Sequence, residues 1–443
     1  MVWGERGCEA SPYPDKITSP RLIIMLTLFV DHLLKCGTIN LSLHWSCIMS
    51  RKITDVFGKL SEGARAYREA RNSSLFEGNQ KAPRTFTKQE TLDYLQNPSH
   101  RTVDSYAQQL GIDPKRHDHS AWMLDINELY SLRNSFPSNV RKFNDKFERG
   151  DKKCQVIVIQ NQKGGVGKTV TAVTTASGLA TEYHEEYRIG LIDLDGQSTA
   201  TMYYTQNTDD HLSIGDLITN SYELDDNETE VNAIKDAFQP TSIPNLRICP
   251  ASQRDRGVDG WFHKQLAAGH LDSPYKQLER IIDAVREDFD VIIIDTPPSL
   301  SFITLNAYYS ASAVIFPLGA TENDMDATCG YFECINEVAD ILDSAGGHKG
   351  YDFVRVLITN YKEDTAYIQM ANKIHKFFGE HVYSTEFKHS IAVRECSSYM
   401  CTLFDISKSE YPKTKSSFAS AVTNAYSVVS KIHSDIVTVW ESK

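Results

Sequence analysis

The sequence predicts a doubly wound α/β domain with a mainly parallel sheet, preceded by a small all-α module and a single N-terminal helix. Three observations carry that prediction. Beyond residue 150, short β-branched runs alternate with longer helical segments; nearly continuous apolar strands separated by helices mean a parallel sheet buried on both faces. A glycine-rich string, Lys163 to Thr169, stands directly between the first such run and a helix-forming segment. Between residues 84 and 150 the texture is instead one of short helices broken by Asn, Gly and Pro.

Composition sets the outer bounds. With 443 residues, the chain has room for two or three domains, and 41% hydrophobic residues give ordinary globular material rather than a disordered or fibrous chain. Nine cysteines occur without a CxxC pair or a Cys/His cluster at zinc spacing, which reads as a reduced cytoplasmic protein. Cys329 and Cys334, five apart on a predicted helix, are read as packing rather than as metal ligands. Net charge is zero over residues 1–48, +4 over 49–150 and −16 over 151–443, within a total of −12. The basic segment is where nucleic acid would be met, since phosphate contact needs Lys and Arg.

Residues 1–48 differ from the rest and are expected to be a non-native or poorly ordered extension; their apolar run, Leu22 to Val30, is too short to span a bilayer. Over 49–78, Ile53, Val56, Phe57, Leu60, Ala64 and Tyr67 recur at helical steps, predicting an amphipathic helix that dimerises or packs on its own chain. The segment 84–150 predicts a winged helix-turn-helix. Thr87 with Glu90 makes a capping box at the start of helix 87–96, then follow 101–112 and 125–134, with 113–123 (Arg116, His117, His119, Trp122) as a wing. Arg101 and Thr102 open the middle helix, where side chains would meet a major groove.

Six strands are predicted from residue 151 onward: 156–160, 188–193, 246–249, 290–295, 313–317 and 354–359. In a doubly wound sheet, ligands bind at the carboxyl ends of the strands. There the first strand runs into Gln162, Lys163, Gly164, Gly165, Val166, Gly167, Lys168, Thr169 and Val170. Glycines let successive amides converge on a phosphate, and the following helix adds its positive end. Lys168 is expected on the β- and γ-phosphates and the Thr169 hydroxyl on Mg²⁺. Gln162 stands where the first Gly of the usual GxxxxGK[ST] string belongs. Lys163 is a second lysine close to Lys168, tolerable around a bound triphosphate or when reaching to a partner subunit's nucleotide. Asp193 and Asp195 end the second strand and Asp295 another; a buried carboxylate there is costly unless it serves a metal-bound water.

At these residues the chain resembles the ParA-type ATPases, the deviant Walker-A branch of P-loop proteins. KGGVGKT (163–169), DLDGQ (193–197) and IIIDTPPSL (292–300) are similar to that family's Walker A, switch I and Walker B motifs. The resemblance covers roughly 150–443 and implies ATP and Mg²⁺ as ligands. It implies Lys163 crossing a homodimer to the other nucleotide, Asp195 placing the hydrolytic water, and Asp193 and Asp295 attending the metal. Val170 departs from the second hydroxyl found in many members. By the same resemblance Arg394, with Lys408, Lys413 and Lys415, contacts DNA non-specifically, and Asn360 meets the adenine edge. The N-terminal helical module resembles that of the larger plasmid and secondary-chromosome partition ATPases.

The function so implied is ATP-dependent DNA segregation, slow and partner-stimulated. ATP closes a dimer or a higher-order filament on double-stranded DNA, a ParB-type centromere-binding protein releases it, and operator binding by the helix-turn-helix adds autorepression; the location is cytoplasmic and nucleoid-associated. The alternative is a membrane-cycling, MinD-like positioning ATPase, which needs a basic amphipathic C-terminal helix. The tail stripe Val428, Val429, Ile432, Ile436, Val439 and Trp440 carries few cations and predicts core packing, with no membrane contact. A cluster-binding redox member of the fold would need paired cysteines after the Walker B region in a cluster-binding context, and Cys329 and Cys334 do not match that pattern. A purely transcriptional repressor with a nucleotide sensor is compatible with the N-terminal module. Residues 207–232, acidic and low in apolar content, read as an exposed insertion.

Overall fold

The computed structural model describes residues 53–76, 81–115, 121–139, 141–205, 211–271, 273–344, 346, 348 and 350–442. The extension 1–48 and the wing residues Arg116, His117 and His119 lie outside the described residues.

Helix α1, Ile53–Leu75, is the predicted amphipathic helix, and Phe57, Leu60 and Tyr67 on it are exposed. From Asn72 onward the chain forms one further unit. It opens with β1 (Thr85–Thr87), α2 (Lys88–Tyr94), α3 (His100–Gln109), β2 (Met123–Asp125) and α4 (Ile126–Ser135). The predicted capping box is present: the Thr87 hydroxyl accepts from the Glu90 amide and the Glu90 carboxylate accepts from the Thr87 amide. Ser99 caps α3, and Asp125 with Glu128 makes a second capping box on α4.

The segment is not all-α as predicted, because β1 and β2 pair antiparallel and tie its two ends together. Leu92, Leu95, Val103, Ala107, Leu124, Leu132 and Phe136 form its own small core. Phe86, Ile126, Leu129 and Tyr130 belong instead to the large core below. A salt bridge from buried Arg133 to Glu186, and the Arg133 bond to the Tyr94 hydroxyl at 2.6 Å, lie at that seam.

The main layer follows: β3 (Gln155–Ile159), α5 (Lys168–Thr181), β4 (Ile189–Asp193), α6 (Thr199–Met202), α7 (Ile214–Thr219), α8 (Glu230–Ala237), β5 (Gln239–Pro240) and β6 (Leu246–Cys249). After them come α9 (Val258–Ala267), α10 (Gln277–Val285), β7 (Val291–Asp295), α11 (Phe302–Ser310), β8 (Ala313–Gly319), α12 (Glu322–Ser344) and β9 (Phe353–Thr359). Helices α13 (Thr365–Phe378), α14 (Ile391–Ser398) and α15 (Lys415–Glu441) close the chain. All six predicted strands form. The seven-stranded sheet has the order β5-β6-β4-β7-β3-β8-β9 and is parallel except for β5. That two-residue edge strand contains Pro240 and has no apolar run to announce it.

Alternation along the strands builds two layers. Ile157 and Ile159 of β3 face a core with α5 and α15, while Val156 and Val158 face one with α7 to α11. Val428, Val429, Ile432, Ile436 and Trp440 of α15 are buried in the first core, so the tail stripe packs inward as predicted. Among the described residues, no helix is long and apolar enough to cross a membrane. The expected exposed insertion 207–232 is corrected in part: Ile214, Leu217 and Ile218 of α7 are buried under the second layer. Three apolar residues in one short turn were outweighed by the acidic run that follows them.

Candidate nucleotide site

The sheet places the site by register. Asp193 of β4 stands beside Asp295 of β7, and Ile159, the residue from which the glycine loop departs, stands on the other side of Asp295. The crossover leaving β3 runs toward β4 and that leaving its neighbour β8 runs the opposite way to β9, so the loop sits at the topological switch point where such sheets bind ligands.

Side chains hold the loop from below. Gln160 and Asn161 are fully buried. The Thr296 hydroxyl donates to the Ile159 carbonyl at 2.7 Å and to Gln160 Oε1 at 2.6 Å. Asn161 donates to the Pro317 carbonyl at 2.8 Å and accepts from the Lys163 amide at 3.0 Å. On the far side the Thr359 hydroxyl donates to the Val166 carbonyl at 2.7 Å, and Asn360 Nδ2 to the Gly165 carbonyl at 3.1 Å. Gly165 and Gly167 have φ of +80° and +88°, which a side chain would strain. A Cβ on Gly164 or Gly165 would meet no atom, leaving the concave face of the loop open to a ligand. Gly167 begins α5, whose amides point into that space.

Lys168 is buried, and its ammonium donates to the Lys163 carbonyl at 3.3 Å. Burial pulls its pKa down, against the pull of Asp295 and Asp195. Asp295 is wholly buried, and neither carboxylate oxygen has a hydrogen-bond partner of good geometry among the described residues. Burial first, then the charge of Asp193, hold its carboxyl well above the usual range, with Thr169 and Lys168 opposing. Asp193 accepts from the Thr201 amide and hydroxyl, both at 2.8 Å, and from the Asp195 amide at 3.1 Å. Burial still pushes it up to about 7. Two adjacent buried carboxyls, both raised by burial and one of them without a well-placed donor among the described residues, fit a divalent cation with its water shell, which would favour their ionised forms.

The loop Asp195 to Ser198 turns back over this pocket. Asp195 Oδ1 accepts from the Gln197 amide at 2.9 Å, and the Asp195 carbonyl from the Ser198 amide at 2.7 Å. No partner for the second carboxylate oxygen is found among the described residues.

Beyond Gly167 a cleft of about 260 Å³ is lined by Val170, Asn360, Phe387, Lys388, His389 and Arg394, among others. The structure thus brings Gly167, Val170, Asn360 and Arg394 to one cavity. It places the other predicted residues elsewhere: Arg101 is exposed on α3, and the Thr102 hydroxyl is bound to the Ser99 cap at 2.7 Å. Lys413 pairs with Glu395 at 2.8 Å, Lys415 donates to the Ser409 carbonyl at 2.7 Å, and Lys408 is exposed. Sequence reasoning missed Gln160, Asn161, Thr296 and Thr359, which hold the loop, and Phe387, Lys388 and His389, which wall the cleft. The polar residues at the ends of strands, QNQ and TN, were the available signal.

Fold and loop together define a P-loop nucleotide-binding protein. A family model described as an AAA domain matches residues 154–345. The chain is similar to the sporulation initiation inhibitor protein Soj of Bacillus subtilis, 28% identical over 251 residues, 55% of this chain and 88% of that one. It is also similar to the plasmid partition protein A of Escherichia coli, 29% identical over 232 residues, 50% of this chain and 54% of that one. The chromosome partitioning protein ParA of Caulobacter vibrioides is 29% identical over 250 residues, 55% of this chain and 84% of that one. A solved structure named Partition Protein shares the fold, with a TM-score of 0.60 and 19% identity, covering 88% of this chain and 100% of that one. Over about half its length the chain is thus similar to proteins named for partition.

Proposed function

We propose that this protein is a DNA-partition ATPase that cycles between an ATP-bound, DNA-associated dimer and a free form, with hydrolysis completed by a ParB-type partner. The observation that carries the reading is Asp295: a fully buried carboxylate for which no hydrogen bond of good geometry is found among the described residues, in register with Asp193 and facing Thr169 and Lys168. Such a group persists where a bound cation and its water satisfy it.

Thr169, Asp193 and Asp295 would hold Mg²⁺, which when bound neutralises charge on the β- and γ-phosphates. Gly164, Gly165, Val166 and Gly167 direct backbone amides at the phosphates. Lys168 exchanges its long bond to the Lys163 carbonyl for a phosphate oxygen, a charge-assisted bond of roughly twice the strength. The free oxygen of Asp195 accepts from the attacking water and orients it. Lys163 is half-buried, and its ammonium makes no ion pair among the described residues, which suits a reach to the nucleotide of a second protomer. The cleft past Gly167 receives the nucleoside, with Asn360 at its rim.

The relatives named for partition support a segregation role, and DNA would meet exposed Arg394 and Lys408, with Lys413 and Lys415 released from their partners on the chain. Arg101 and Thr102 would serve operator contact and autorepression. The inward packing of α15 favours this over a membrane-cycling role. The test is nucleotide-dependent DNA binding by mobility shift. Wild-type chain with ATP and Mg²⁺ should bind duplex DNA, Lys168→Ala should not, and Asp195→Ala should remain bound without releasing phosphate. Binding indifferent to ATP and to both changes contradicts the reading.

A further inference from the structure

Hydrolysis depends on where Asp195 is held, and the turn that carries it is braced from outside the recognised motifs. Residues Gln253–Gly257 form a 3₁₀ turn just beyond β6. Its anchor is Asp255, 4% exposed, which accepts from the Ser213 hydroxyl at 2.7 Å, the Gly215 amide at 3.3 Å and the Ser252 amide at 2.9 Å. A Cβ on Gly215 would lie 2.4 Å from the Asp255 carboxylate, so α7 is seated directly on this anchor. The next residue, Arg256, reaches the Asp195 turn. Its Nε donates to the Gly196 carbonyl at 3.3 Å and one Nη to Gln197 Oε1 at 2.8 Å. The approach is close enough to require glycine: a Cβ on Gly196 would stand 2.8 Å from Arg256 Cγ and 3.2 Å from its amide nitrogen.

We infer that Arg256 is a positioning residue for hydrolysis, acting through the Asp195–Ser198 turn. The inference rests on the reading of Asp195 as the water-orienting carboxylate. The geometry is a train of fixed parts. The second layer of the sheet holds Asp255, Asp255 holds the 3₁₀ turn, and the guanidinium fork holds two successive residues of the switch loop. That loop in turn bonds Gln197 N to Asp195 Oδ1 and so fixes the carboxylate's rotation. Arginine suits the task because one planar group spans both acceptors, which an ammonium cannot. Arg256 is exposed and touches none of the phosphate-loop residues, so its loss leaves the nucleotide cradle intact. Misplacing a catalytic group by about an ångström is enough to cost up to about a hundredfold in rate.

The experiment uses the full chain with ATP and Mg²⁺. Turnover and KM are measured for wild type, Arg256→Ala, Arg256→Lys, Asp195→Ala and the double variant Asp195→Ala/Arg256→Ala, with ADP affinity taken separately by fluorescent-nucleotide titration. Arg256→Ala should lower kcat about tenfold while KM and ADP affinity stay within about twofold. Arg256→Lys should recover part of the loss. The double variant should be no slower than Asp195→Ala alone, since residues acting as one unit are non-additive. Three results would each overturn the inference: unchanged kcat in Arg256→Ala, a KM or ADP affinity that moves with kcat, or losses that multiply in the double variant. Failure of the underlying reading shows differently, as a wild-type chain that takes up no nucleotide or an Asp195→Ala chain with full turnover.

Discussion

The phosphate end and the proposed nucleoside end of the site are built in opposite ways. At the phosphate end, the loop, Lys168, Thr169, Asp193 and Asp295 come from three adjacent parallel strands, and most are buried in a rigid sheet. At the nucleoside end, Asn360, Phe387, Lys388 and His389 come from two loops more than twenty residues apart, on the open side of the cleft. The first end is expensive when empty, because burial holds both carboxylates high and Lys168 low. The second is nearly neutral when empty, its Asn360 amide already bonded to the chain. Binding energy tied to charge, and therefore to the chemical step, belongs to the first; recognition that can vary with little penalty belongs to the second.

The largest way to break that contrast is at Lys168. Its replacement by Ala should reduce ATP turnover by at least about a hundredfold, because the cation faces charge that grows in the transition state; phosphate release assays check this. Next is Asp295→Asn. Burial disfavours the ionised form of Asp295 and the amide carries no such penalty, so the nucleotide-free variant should be at least as stable as wild type in urea unfolding while losing its Mg²⁺-dependent nucleotide binding. A loss of stability would mean that Asp295 is satisfied within the chain.

The same groups give a pH dependence. Asp193 is raised in the folded state, so folding takes up protons. The nucleotide-free chain is most stable below the unfolded carboxylate value near 3.8 as far as this group is concerned, and loses that stability as pH rises through about 7. Thermal melts from pH 5.5 to 8 should therefore decline, and adding Mg²⁺ with ATP should flatten the decline. The nucleoside end should respond less. Asn360 has φ of +52°, so Asn360→Ala both strains the backbone and drops one hydrogen bond, for about a fivefold weaker nucleotide affinity. Asn360→Gly removes only the bond and should cost about half as much on a logarithmic scale. The smallest effect belongs to Lys413→Ala, whose solvent-screened pair with Glu395 should leave the urea-unfolding midpoint unchanged within error.

What could be read in the sequence follows the same division. The six strands, the glycine loop and the three aspartates were legible because each is a contiguous string whose chemistry is local. The residues that steady the loop were not, since Asn161, Thr296 and Thr359 are ordinary polar residues until the sheet sets them beside one another. The ribbon β1–β2 escaped because three-residue strands over thirty residues apart carry no periodic signal. Helix α7 was misread from composition, its three buried apolar residues being averaged with the acidic stretch beyond. Asn360 lines the cleft beyond the glycine loop, and its bond to the Gly165 carbonyl needed coordinates.

Calorimetric titration of the purified chain with ATP, in magnesium buffer and again with the metal chelated, addresses the account most directly. One saturable site per chain that weakens at least about tenfold on chelation is the predicted outcome. Equal affinity in the two buffers, or no heat of binding in either, would contradict the assignment of Asp193 and Asp295 to a metal-bound phosphate site.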